Sequence, residues 1–420
     1  MYTFLIWCVS LALRVVAMWN GKIRLFVRGR KDVLARIKEA VEGHDGIIWF
    51  HTASMGEFEE ARPVMEAVRR RYPDRKILLT FFSPSGYEMR KNWSTADWVF
   101  YLPLDTCRNA RKFVETVRPA KAVFTIGEFW FNYLKQLKRH HVDTYIMSVL
   151  ASKDSPYTKW YGGPYRKVLR TVYKCVMVKN AETAEVLRGF GCSNVAVTGD
   201  ARFDRVASVA SEEWHDKIVE KWLDGKKAAV SGSSGPREDA LFLSLAEHYP
   251  QDKFMFVPHE LEEGPIRHIM DTLGDRALLY SHLEYVSSSG TPKDVRDSLL
   301  NTLGGYQVLV VDKIGMLSRL YRYGWCALIG GGFDNLPHSV MEAVIYGMPV
   351  SMGPQYHKNS QFLDLMKSGA ATPVETESDI LEWYEKYRGN KDLVEEIKEL
   401  EAEYCRDNIG AKERIMDILC

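Results

Sequence analysis

At 420 residues the chain is long for a single hydrophobic core and about right for two α/β domains. Lys and Arg number 56 against 55 Asp and Glu, which excludes the global electrostatic footprint of a nucleic-acid binder. The seven cysteines are scattered with no C-x-x-C pair and no Cys/His cluster, so reduced thiols, a cytosolic-facing body and no structural zinc are expected.

Tyr2–Met18 is almost wholly apolar, interrupted by Ser10 and Arg14, and a basic stretch follows with Lys22, Arg24, Arg28, Arg30, Lys31, Arg36 and Lys38. A membrane span needs roughly 20 apolar residues, so a shallow helix resting its cations on anionic headgroups fits better. A cleaved signal would carry its charges before the apolar run, and here they come after it. Residues 1–40 are therefore expected to associate with a membrane, with a buried first helix as the alternative. An N-terminal Rossmann-like domain is expected over 41–206 and a second over 207–420, with the final helix free to pack back on the first domain.

From Gly46 onward, short β-like runs alternate with amphipathic helices. Strands are predicted at Ile47–His51, Lys76–Phe82, Ala122–Ile126, Thr144–Val149, Cys175–Val178 and Val195–Thr198, spaced for crossover helices in a parallel sheet. Ala207–Asp224 reads as a helical connector. The alternation restarts at Ala228–Ser231, Lys253–Val257, Ala277–Tyr280, Gln307–Val311, Cys326–Ile329 and Val350–Met352. Glu262–Asp275 and Ser287–Leu300 read as surface helix and loop, and the charged, proline-free tail after Ser378 as helix.

The stretch Trp325–Pro354 reads as strand, glycine turn, helix and strand. Gly330, Gly331 and Gly332 let the backbone turn tightly and approach a ligand. Pro337 fits the first turn of a helix carrying Val340, Met341, Val344 and Ile345, which Gly347 and Pro349 stop. A helix N-terminus at a glycine turn is a phosphate site; equally, the glycines serve only to make a tight turn.

His51-Thr-Ala-Ser-Met-Gly-Glu57 begins at the carboxyl end of the first strand, where open parallel sheets place ligands. Glu57 is read either as a base for an acceptor hydroxyl or as a cap of the next helix. Thr80–Gly86 adds the hydroxyls of Ser83 and Ser85, and Gly127–Asn132 adds Glu128 and Trp130 at another strand end, although such aromatics are commonly core. His140 and His141 lie on a basic helix and read as a solvated face. Ser231–Gly235 resembles a phosphate cradle in composition without the lysine of a Walker loop, which argues against a nucleoside triphosphatase. His259 closes a strand, Glu342 is placed to accept from ribose hydroxyls, and Gly353–Asn359 adds polar donors at the same edge.

In order along the chain, these motifs resemble those of the 3-deoxy-D-manno-octulosonic acid (Kdo) transferases of lipopolysaccharide synthesis. The family's H-x-x-S-x-G-E loop is present as His51, Ser54, Gly56 and Glu57, and its T-P-T-G as Ser83–Gly86. Y-L-P-x-D is intact at Tyr101–Asp105, and E-x-W-x-N at Glu128, Trp130 and Asn132. G-N-x-K-F-D appears as Gly199–Asp204, the H-N-x-x-E part of the next motif as His338, Ser339 and Glu342, followed by Ala343, and the last G-P-x-x-x-N, one residue longer here, ends at Asn359. The chain departs from the pattern at His259, where the family has arginine, at Ser339 for asparagine, Arg202 for lysine, and Ile126 where a further glutamate often stands.

The resemblance implies an α/β GT-B architecture, with two Rossmann-like domains facing across a cleft and an N-terminal membrane-contacting helix. It implies an inverting glycosyltransferase that moves Kdo from CMP-Kdo to a lipid A precursor, without a metal cofactor, on the cytoplasmic side of the inner membrane. Glu57 would be the base, with Ser54, Gly56, Ser83, Ser85, Glu128, Trp130 and Asn132 on the acceptor side. The donor would meet Ser233, Ser234, His259, Gly330, Gly331, Gly332, His338, Ser339, Glu342 and Asn359. A transferase using another nucleotide sugar, or a non-catalytic membrane-associated binding protein, would share the same shell.

Overall fold

A computed structural model describes residues 2–152, 154–288, 292–333 and 337–420. Residues 289–291 of the Ser287–Leu300 segment and 334–336 of the turn before Pro337 lie outside the described residues. The chain divides into two compact units, one running to Arg205 and taking back Asn408–Cys420, the other Val206–Asp407.

In the first unit the strands are β1 (Ile48–Thr52), β2 (Ile77–Phe81), β3 (Trp98–Tyr101), β4 (Lys121–Thr125), β5 (Asp143–Val149), β6 (Cys175–Val178) and β7 (Val195–Val197). They form one seven-stranded sheet in the order β3-β2-β1-β4-β5-β6-β7, parallel throughout. Side chains alternate between two apolar faces, as a sheet covered on both sides requires. Trp49, Leu78, Phe124 and Ile146 point into one core with Val33, Ile37 and Val41 of a helix. Phe50, Leu79, Val123 and Tyr145 point into the other, which Ile415, Met416 and Leu419 of the C-terminal helix complete. That helix (Ala411–Leu419) is fastened by Asp204, whose carboxylate accepts from Gly410 N at 2.7 Å and Lys412 N at 2.8 Å, and by Arg414 Nε donating to Thr198 O at 2.9 Å.

The second unit repeats the plan with β8 (Ala228–Ser234), β9 (Lys253–Pro258), β10 (Ala277–Leu279), β11 (Val308–Val310), β12 (Gly324–Ile329), β13 (Val350–Met352) and β14 (Ala371–Pro373). Their order is β10-β11-β9-β8-β12-β13-β14. The sequence reading missed β3 and β14, which are short edge strands paired on one side only, so neither carries a long apolar run. Ala207–Asp224 is not one helix: Arg202–Ser211 and Lys217–Leu223 are separate, with Asp216 capping the second through bonds from Ile218 N and Val219 N.

The first residues form α1 (Tyr2–Val16) and α2 (Gly21–Gly29), followed by α3 (Val33–Val41). No residue of α1 is buried, and Phe4, Leu5 and Trp7 are each more than half exposed, which overturns the buried-helix alternative. At 15 residues α1 is about 22 Å long, short of a bilayer core. No described helix is long and apolar enough to cross a membrane. Its start is held by Tyr2 OH donating to Asp105 Oδ2 at 2.8 Å and by the Tyr2 ring edge-on to Phe131.

Candidate active site

In an open parallel sheet, the crevice forms where strand order reverses and the loops leave in opposite directions. In the first sheet that point lies between β1 and β4. The loop after β1 leads into α4 (Met55–Arg71), which carries Glu57 in its first turn, and the loop after β4 carries Glu128.

Glu57 does both things that its sequence position allows. Ser54, the N-cap, accepts from Glu57 N at 3.4 Å, and Glu57 Oε2 accepts from Ala53 N at 2.6 Å, so the carboxyl closes the entry to its own helix. The Glu128 carboxyl stands close enough to share a hydrogen bond with it. Burial, then the Glu128 charge, push the Glu57 carboxyl up to about 9, against the bond from Ala53. Two carboxyls this close hold a proton between them above the ordinary range.

His51 completes the group. It is fully buried, its Nδ1 lies 2.9 Å from Thr80 Oγ1, and its Nε2 has no hydrogen-bond partner while standing 3.7 Å from Glu128 Oε2. Trp130 packs edge-on to His51, its own Nε1 buried without a partner, and against Phe82. Nothing in the H-x-x-S-x-G-E spacing marks a role for His51. Its signal was periodicity: Trp49 and His51 share one face of β1, and a lone polar group on an apolar face marks a site.

Ser83 caps the helix Pro84–Arg90, and its N–H donates to Ala53 O at 2.7 Å, joining the loops after β1 and β2; its Oγ lies 3.1 Å from that of the exposed Ser85. Gly56 lies inside α4 with room for a Cβ, so the tight loop does not depend on it; Gly86 is the constrained one, where a Cβ would meet the Phe81 ring at 2.5 Å. Asn132 is not open to a ligand. It is buried, donates to Asp105 O at 2.6 Å, and exchanges bonds with Thr3, so it braces α1 against the sheet.

A charged quartet at the carboxyl ends of β6 and β7 went unread in the sequence. Lys179 Nζ donates to Glu60 Oε1 at 2.6 Å and Asp200 Oδ2 at 3.1 Å, and Arg202 Nη2 donates to Asp200 Oδ2 at 2.6 Å. Although burial opposes it, Lys179 and Arg202 hold the Asp200 carboxyl far below the usual range. Glu60 lies one turn beyond Glu57 on α4, and its charge adds to the upward push on Glu57. The four groups thus tie the helix of Glu57 to the far strands.

In the second sheet the reversal lies between β8 and β12, and it gathers part of the remaining set. Ser233, Ser234, His259, Gly331 and His338 line one cavity of about 100 Å³. His259 and His338 lie with ring centroids 4.4 Å apart and their planes tilted by 42°, and burial together with the His259 ring pushes His338 down to about 4. Gly330, Gly332, Ser339, Glu342 and Asn359 lie outside that lining. Ser339 Oγ accepts from Met341 N at 3.4 Å, and Glu342 is partly buried beside Tyr321 and Tyr346. Asn359 is a brace: it donates to His338 O at 2.9 Å and caps the helix Ser360–Ser368.

Two sequence expectations fail here. The helix after the glycine turn is only Met341–Val344, a single turn that begins after Pro337, and His338 N donates to Gly330 O at 3.1 Å. Nor do Gly330 and Gly332 open toward a ligand. A Cβ at Gly330 would lie 1.9 Å from Ser233 O and one at Gly332 2.4 Å from Gly353 N, while Gly331 sits at φ 82°. The buried Glu238, overlooked in the sequence, accepts from Gly332 N at 3.2 Å and Gly235 N at 3.1 Å, occupying N–H groups assigned to phosphate. Gly330→Ala is therefore expected to cost about 1–3 kcal/mol by overpacking against backbone, read as a lowered midpoint in thermal or urea unfolding. An unchanged midpoint would mean the close approach is not real.

A family model described as 3-Deoxy-D-manno-octulosonic-acid transferase (kdotransferase) matches residues 28–205. The 3-deoxy-D-manno-octulosonic acid transferase of Aquifex aeolicus is 26% identical over 359 residues, which span 83% of this chain and 89% of that protein. The enzyme of the same name from Haemophilus influenzae is 23% identical over 385 residues, spanning 89% and 86%. Among solved structures, UDP-GlcNAc 2-epimerase from Neisseria meningitidis bound to UDP-GlcNAc aligns at a TM-score of 0.60 with 14% identity, over 89% of this chain and 99% of that one, a likeness of fold alone. With two Rossmann-like parallel sheets of GT-B type, the chain matches the 3-deoxy-D-manno-octulosonic acid transferase family over residues 28–205 and resembles relatives of that name along most of its length.

Proposed function

We propose that the protein is an inverting glycosyltransferase that moves Kdo from CMP-Kdo to a hydroxyl of a lipid A precursor, with Glu57 as general base. The observation that carries the assignment of the base is the Glu57–Glu128 pair at the strand-order reversal, beside a buried His51 with one unpartnered nitrogen. Glu57 would take the proton of the acceptor hydroxyl as its oxygen attacks the anomeric carbon, and CMP would leave from the opposite face. A carboxyl with a raised proton affinity is a strong base when ionised, and Glu128 is the charge that keeps it so. Ser83 and Trp130 border the same loops and would orient the acceptor. Ser233, Ser234, His259 and His338 around the second cavity would hold the donor. Mass spectrometry of the lipid after incubation with CMP-Kdo and a lipid A precursor tests the reading; an acceptor recovered unchanged refutes it.

The pH dependence follows with a definite sign. In the neutral range only a small fraction of Glu57 is ionised, so kcat/KM is expected to climb from there through pH 9 and to level off only above it. Glu128→Gln removes the neighbouring charge and should move that rising limb to lower pH. A profile flat from pH 6 to 9, or a limb that Glu128→Gln leaves in place, would count against the pair.

The exposed apolar residues of α1 support contact with the cytoplasmic leaflet of the inner membrane, where such an acceptor resides. Removing residues 2–18 is expected to lower turnover on bilayer-embedded acceptor at least several-fold more than on detergent-dispersed acceptor. Equal losses in both assays would remove the membrane role.

A further inference from the structure

The cavity of about 450 Å³ bordered by α1, α2, the start of α3 and Pro103–Asn109 has walls of two kinds. Arg14, Arg28, Arg30 and Lys31 line it against a single carboxylate, Asp32. Among the described residues, Arg14, Arg28 and Lys31 have no carboxylate partner, and all three are exposed. Arg30 is partly buried, and among the described residues its hydrogen bonds go to carbonyl oxygens, Nε to Leu102 at 3.0 Å, Nη1 to Phe26 at 3.2 Å and Nη2 to Phe82 at 2.7 Å, while its guanidinium lies 3.7 Å from the Phe26 ring centre. A guanidinium so placed, with no counter-ion, keeps donor capacity for an anion. Leu13 and Phe26 supply the other wall, and it continues into the exposed apolar residues of α1. A free inorganic anion would leave that wall wet, and a neutral lipid would leave the cations unpaired. We infer that this cavity binds the phosphate headgroup of an anionic lipid, its acyl part lying along Leu13 and Phe26 toward α1.

The position gives the site a bearing on the reaction proposed above without depending on it. Arg30 holds Phe82 O, the next residue Ser83 donates to Ala53 O at 2.7 Å, and Ala53 N donates to Glu57. Two sources carry this chemistry, a bilayer phospholipid and a phosphate on the lipid acceptor itself.

The test is calorimetric titration of the full chain, without CMP-Kdo, with monomeric dihexanoyl phosphatidic acid, dihexanoyl phosphatidylcholine and inorganic phosphate. Saturable binding of phosphatidic acid, at least tenfold tighter than either of the others, is expected. The double variant Arg28→Gln, Lys31→Gln should weaken it at least tenfold with an unchanged unfolding midpoint. Equal affinity for phosphatidylcholine, full affinity in the double variant, or no saturable binding would overturn the assignment. Displacement of the phosphatidic acid by detergent-dispersed lipid A precursor identifies the acceptor as the source, and its retention identifies the bilayer. Because no donor is present, the result stands whether or not Kdo transfer is observed.

Discussion

Glu57→Gln is expected to reduce turnover by about 10²–10⁴-fold, the usual loss when a general base is removed, while the protein stays folded and binds CMP as before. The two roles of Glu57 make the amide the informative substitution. A glutamine oxygen still accepts from Ala53 N, so the cap survives, and its NH₂ donates to Glu128. Stability follows from the direction of the shift. Because the folded carboxyl binds its proton more tightly than the unfolded one, its contribution is full below the ordinary carboxylate range. It is lost as pH rises toward 9. The amide has no such loss, and at pH 8–9 the variant should melt at or above the wild type. Inactivity with unfolding would make Glu57 a cap alone; a folded and nearly fully active variant would pass the role of base to Glu128.

Lys179→Met should cost about 3–5 kcal/mol, because it strips one cation from a buried quartet and leaves Glu60 and Asp200 to share Arg202. Asp200 is held low, so its contribution is present above the ordinary Asp range and disappears as pH falls; the variant should lose part of that acid-side dependence. A second readout separates electrostatics from simple damage. With Glu60 less compensated, the Glu57 proton is held more tightly, and the rising limb of kcat/KM should move to higher pH. Denaturant midpoints between pH 4 and 8, with the pH–rate profile, check both parts. A destabilised variant with an unmoved limb would make the quartet purely structural.

How legible the molecule was depended on whether a feature was periodic or long-range. The central strands β1, β4, β8 and β12 were readable because strands covered on both faces are continuous apolar runs, whereas the edges β3 and β14 were not. Glu57 was legible from its place at a strand end. The pairing with Glu128 was not, since it depends on β1 and β4 becoming neighbours although β2 and β3 intervene in sequence. The glycine turn shows the opposite failure. Its composition suggested ligand approach, but its demand is packing of backbone on Ser233 and Gly353. Asn132 and Asn359 look like ligand donors in the sequence because a polar residue in a motif reads the same whether it faces solvent or a backbone carbonyl.

The first unit is not finished until the last residues arrive. Its core needs Ile415, Met416 and Leu419, and roughly 200 residues of the second unit separate them from Arg205. At ~5–20 residues/s, a ribosome takes about 10–40 s to make that insert. Through that interval the apolar surface around Phe50, Val123 and Met147 lacks its final cover, which leaves the nascent first unit prone to aggregation until the helix is made. It also means that the natural seam for dividing the molecule is not a point between two halves. A first unit expressed alone to Arg205 would expose that surface permanently, whereas a circular permutant beginning at Asn408 would complete it early.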